Sequence, residues 1–147
     1  MKLHIPSLVL AFGLTSSGMQ ATALEQQCPV SLKQISLGYN HEGGQSKPQL
    51  RVNFANQAGK EISTVTFSLS VLDSAGSPRE YSDDLVYRDG LGVGKTKLFA
   101  WDLTPESIDI HRTGETVLLQ KVEFSDSTVW TDDGSQSCVL TVDYHPM

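Results

Sequence analysis

Basic residues are scarce in this 147-residue chain. Eleven Lys and Arg stand against 17 Asp and Glu, a formal net charge of −6 with a pI near 5.0. A protein that binds a phosphate backbone needs a basic surface to displace counterions, so that class is excluded. Long apolar runs are missing too. The stretch Leu8–Leu14 (LVLAFGL) has seven residues, where a membrane-crossing helix needs about 20. Cysteine is limited to Cys28 and Cys138, with no Cys-x-x-Cys, which argues against a reactive thiol pair. Neither a Gly-x-Ser-x-Gly elbow nor an Asn-x-Ser/Thr sequon occurs. The first removes one route to nucleophilic hydrolysis, and the second is compatible with a bacterial exported protein. No internal repeat and no amphipathic helical pattern appears either.

What is present begins with an export signal. Lys2 supplies a short positive start, the run at 8–14 an apolar segment, and Ala21-Thr22-Ala23 a small-residue cleavage site. Cleavage is expected after Ala23. A lipoprotein signal would place Cys directly after the cut, whereas Cys28 lies five residues beyond it. Residues 24–147 then form a single domain, of the usual size, with 10 basic against 17 acidic residues and a formal charge of −7. Export to the periplasm or the extracellular space makes a Cys28–Cys138 disulfide the expectation. A loop of that size is assigned about 4–5 kcal/mol by chain entropy.

Period-2 hydrophobicity dominates the rest. Ile35, Leu37 and Tyr39 alternate with polar neighbours, as do Leu50, Val52 and Phe54. Val65, Phe67, Leu69 and Val71 interleave with Thr66, Ser68 and Ser70, which predicts a strand with a hydroxyl-bearing, solvent-facing side. Further strands are expected near 84–87, 97–101, 117–124, 128–130 and 138–144, with turns at Asn56–Lys60 and Asp73–Pro78. Thr104–Ser107 has the makings of one helical turn. About seven short strands and frequent turns predict an all-β, antiparallel sandwich of immunoglobulin-like architecture.

The runs NFANQAGKEISTVTFSLSVLDSAG, GLGVGKTKLFAWDL and LLQKVEFSDSTVW resemble small exported bacterial β-sandwich domains of unknown function. The first run also resembles FxLYD-type, immunoglobulin-like domains. The matching positions are Asn56, Gly59, Lys60, Asp73, Gly76, Trp101, Lys121, Val122, Phe124, Asp126 and Trp130. The match spans about residues 49–130 and departs at Ser127, where a Gly often follows the hairpin Asp. The resemblance implies a β-sandwich and no activity.

Candidate chemistry is thin. Gly94-Lys95-Thr96 invites a phosphate-loop reading, but Asp89 stands where the motif needs Gly and a strand pattern follows in place of a helix. Three histidines remain after cleavage, His41, His111 and His145. His145 with Met147 offers the soft ligand pair that suits copper, joined by His41 or His111 only if loops converge. Asp126, Asp132 and Asp133 offer hard oxygens for Ca²⁺ without the spacing of an EF-hand, and Asp83-Asp84 reads as a polar turn. Trp101 and Trp130 are core residues or, if exposed, a platform for sugar or protein, with Trp130 at a hairpin end the better placed of the two. The leading expectation is an exported, non-enzymatic interaction module with no cofactor and another protein as partner, acting through sheet edges and loops. The alternatives are a small copper-type metal-binding domain and a carbohydrate-contacting module.

Overall fold

Residues that alternate between apolar and hydroxyl side chains bury one face of an extended chain and wet the other. In the computed structural model, which describes residues 27–72, 75–81, 83–104 and 114–142, this pattern forms nine strands. They are β1 (Val30–Asn40), β2 (Lys47–Asn56), β3 (Ile62–Leu72), β4 (Pro78–Glu80), β5 (Leu85–Tyr87), β6 (Thr96–Asp102), β7 (Glu115–Phe124), β8 (Val129–Thr131) and β9 (Val139–Val142). A 3₁₀ turn at Glu42–Gly44 is the sole helical element among the described residues, none of which forms a helix long and apolar enough to cross a membrane.

All pairings are antiparallel. One sheet has the order β1-β2-β6. The other is built on two long central strands, β3 and β7. Both β4 and β5 pair with the far edge of β3, and both β8 and β9 with the far edge of β7. The inward residues of the two sheets meet in one core: Leu50, Val52 and Phe54 from β2 face Val65, Phe67 and Leu69 from β3 and Val117, Leu119 and Val122 from β7. Phe54 packs edge-to-face on Phe67 at 5.2 Å and on Tyr87 at 5.4 Å. Each such fully buried large side chain contributes about 1.5–3 kcal/mol relative to exposure. The disulfide joins Cys28, just before β1, to Cys138, just before β9, so it ties one sheet to the other.

Of the nine strands, β4 alone lies where the sequence predicts none, in a stretch that lacks alternation. Pro78, Arg79 and Glu80 are all exposed and read as the tail of a turn; they become β4 only because residues 70–72 of β3 offer a free edge. β1 begins at Val30, ahead of the alternation at 35–39. The signal at 1–23 and the segment Pro105–Ser107 of the expected helical turn lie outside the described residues, as does Asp73.

The turn motifs fit together in space. Asn56 is buried; its amide donates to the carbonyls of Lys60 (3.0 Å) and Leu91 (2.9 Å), and its Oδ1 accepts from the N–H of Ala58. Its backbone also pairs with Gly94 and Lys95. The glycine-rich stretch is therefore a connection from β5 to β6 clasped by one asparagine. Lys60, four residues on, lies over the ring of Phe124 at 4.3 Å and pairs with Asp126 at 2.9 Å and the hydroxyl of Thr128. The hydroxyl and N–H of Thr128, and then Lys60, hold the Asp126 carboxyl down to about 2. In that hairpin Ser127 takes a φ of +69°, a left-handed conformation that glycine adopts most readily.

Candidate functional site

The outward side chains of β3 are Thr64, Thr66, Ser68 and Ser70. All four are half-buried, as are Gln49, Asn53 and Ala55 on the outer side of β2. The same holds for Thr116, Leu118 and Gln120 of β7. A β-bulge at Gln120–Lys121 turns two consecutive side chains of β7 outward, adding Lys121 to this face.

Both edges of this sheet are interrupted at the same level. β5 pairs with 65–67 and β4 with 70–72, and between them the Tyr81 N–H bonds the Leu69 carbonyl at 2.8 Å. On the other edge β8 pairs with 121–123 and β9 with 115–118. Between those, Asp132 N–H bonds the Gln120 carbonyl and Leu119 N–H bonds the Cys138 carbonyl, both at 2.9 Å. Chain that leaves the sheet at each break stands beside its outer face. The result is a walled trough. Its sections measure about 570 Å³ above Thr64 and Thr66, about 320 Å³ beside Asp83, and about 470 Å³ above Ser68 and Ser70. Gln120 lines all three, so they adjoin one another along this face.

Each wall has its own anchor. Tyr81 is buried, and its hydroxyl donates to Asp83 at 2.9 Å while accepting the N–H of Thr104 at 3.0 Å. Opposite, Asp132 accepts the N–H of Gly134 and Asp133 the N–H of Ser135, two local turns that order the chain leading to Cys138. The hydroxyl and N–H of Ser135 hold the Asp133 carboxyl below its ordinary range. Glu80, Asp83 and Asp84 stand along one wall, Asp132 along the other and Glu123 at one end. Among the described lining residues only Arg88 and Lys121 answer them, and Lys121 is held by Glu123 at 3.2 Å. Asp132 Oδ1 is shielded from solvent and has no donor.

The residues singled out from the sequence are dispersed. His41 sits in the β1–β2 connection with Nδ1 2.9 Å from the Ser46 hydroxyl. His111, His145 and Met147 lie outside the described residues. Asp126 is engaged in its hairpin, away from the turns of Asp132 and Asp133, and no group of three or more His, Cys, Asp or Glu among the described residues is placed to hold a metal ion. Trp101 packs edge-to-face on Phe99 and Phe67, with its N–H donated to the Val86 carbonyl at 3.1 Å. Trp130 is opposite Val122 and leans on the core, its Nε1 buried without an acceptor. Both indoles face inward and neither lines the trough. The trough itself is not legible in any motif; its one signal is the hydroxyl stripe of β3, which reads equally as an open, wet face. No known protein family, curated protein or solved structure matches the chain.

Proposed function

We propose that this is an exported, non-enzymatic interaction module that holds a partner protein in the trough of its six-stranded sheet. Residues 1–23 direct export and are removed, and the disulfide-stapled remainder works in the periplasm or the extracellular space. One observation supports the binding site above the rest: a stripe of hydrogen-bonding side chains on an outer sheet face lies half-buried between two separately anchored walls. Concave surfaces with convergent polar groups are where ligands bind, and the volume of each section falls within the usual range of such sites. Beside Arg88, Lys121 and apolar carbons, the described lining carries hydroxyls, amides and carboxylates, groups suited to recognition by hydrogen bonds.

A photo-crosslinking residue placed at Ser68, compared with one at Ser36 on the other sheet, tests this in the native host. Crosslinks to a discrete partner from position 68 and none from 36 are expected. Equal capture at both positions, or none at 68, rejects the trough as the site. The mass of the recovered protein should equal residues 24–147 less two hydrogens, which checks cleavage and the disulfide together.

A further inference from the structure

The shape and charge of the trough narrow the class of partner. Its floor runs from Thr64 to Ser70, six residue steps or about 20 Å at ~3.4 Å per residue. Along it, Thr64, Thr66, Ser68 and Ser70 recur every second residue. That is the period at which an extended chain turns successive side chains to one face. A strand-like segment of about six residues lying over β3 and β7 would therefore keep step with the floor.

The walls carry the charge. Three carboxylates on one side, Glu80, Asp83 and Asp84, face Asp132 on the other. Among the described residues, Arg88 is the lining cation that no ion pair between side chains engages, since Lys121 is held by Glu123. Asp132 contributes its charge to that wall, while its unpaired Oδ1 is shielded from solvent. Acidic chains and phosphates are repelled from such a surface, and sugar stacking has no indole to use there. Resting on the reading of the trough as a binding site, we infer that its occupant is an extended segment of a partner protein that carries lysine or arginine.

Three capped hexapeptides test this on the disulfide-intact protein: Ser alternating with Lys, with Gln and with Glu, titrated by calorimetry at low and at physiological salt. The Lys peptide should bind at least fivefold tighter than the Gln peptide, weaken with salt, and leave the Glu peptide unbound. Asp84→Asn and Asp132→Asn, the second of which keeps an acceptor for Gly134, should each weaken the Lys peptide about two- to fivefold, as solvent-screened ion pairs do. Ser68→Trp, and independently Ser70→Trp, should abolish binding while near-ultraviolet dichroism stays native. If the peptides bind alike, or the Glu peptide binds best, and the Trp variants abolish it, the trough stands and the cationic occupant is wrong. Lys-peptide binding that survives both Trp variants overturns the trough as its site. Failure of all three peptides to bind also overturns the inference, and crosslinking at Ser68 then decides the trough separately.

Discussion

The two sheets present opposite outer faces built from the same kinds of residue. On the three-stranded sheet the row Ser36, Arg51 and Ala100 crosses all three strands, and every member is exposed. On the six-stranded sheet the corresponding row, Ser68 and Leu118, is half-buried. Side-chain chemistry does not separate them. The difference lies in the edges: β1 and β6 are long single strands, whereas each edge of the other sheet is two short strands with a break between. Such a sheet acquires depth by interrupting its own margins and letting the chain rise at the gaps.

Removing the bridge is the largest perturbation of this contrast. Cys28→Ser with Cys138→Ser should lower stability by about 4–5 kcal/mol on chain-entropy grounds, read as a shift in urea midpoint. Hydrogen exchange should accelerate over 131–139 and change little across 98–101, so the trough loses a wall while the open face keeps its form. Tyr81→Phe acts on the opposite wall. It strips Asp83 and the Thr104 N–H of their partner and should cost about 1–3 kcal/mol, with faster exchange at Thr104 as the local readout. The same substitution on both outer faces sharpens the comparison directly. Leu98, 61% exposed, should accept Lys within about 0.5 kcal/mol. Leu118→Lys, between walls, should cost about 1 kcal/mol or more by thermal unfolding.

Between the sheets, burial pushes the Glu115 carboxyl above its ordinary value. A raised carboxylate contributes stability that is complete below the unfolded value and is lost as pH rises through the folded one. Glu115→Gln should therefore stabilise the protein at neutral pH and lose that advantage in acid, seen in melting curves at pH 4 and pH 7. Asp126 runs the other way: its contribution, present at neutrality, disappears as pH falls towards about 2. The smallest effect is expected outside both faces. Ser127→Gly relieves a left-handed residue in the β7–β8 hairpin and should gain about 0.5 kcal/mol, leaving hydrogen exchange along both walls of the trough unchanged.

Much of the sandwich was legible because burial on one face writes itself as period two. Phe67 in and Ser68 out follows from reading β3 alone, and the cysteine pair follows from there being two cysteines in a chain read as exported. The trough was not legible, for reasons that lie beyond any single strand. Pro78–Glu80 carries no alternation and is a strand only by virtue of its neighbour. Lys121 joins Gln120 on the outer face because a bulge breaks the period there. Trp130 turns inward because Val122 is opposite it, a register that its position at a hairpin end does not disclose. Asp83 and Asp84 read as a polar turn, and only the placement of β4 and β5 on one edge makes them a wall.

The bridge between Cys28 and Cys138 closes a covalent ring through nearly every described strand. A protease that nicks the exposed connection after Lys95 would therefore leave one molecule, not two. The cut would part β6 from β5 in the chain, yet β6 would remain paired to β2 and tethered through the disulfide. Such a nicked form should run at unchanged mass without reductant and as two fragments with it. In a compartment rich in proteases, the ring lets a broken backbone stay in register and go on presenting the same surface.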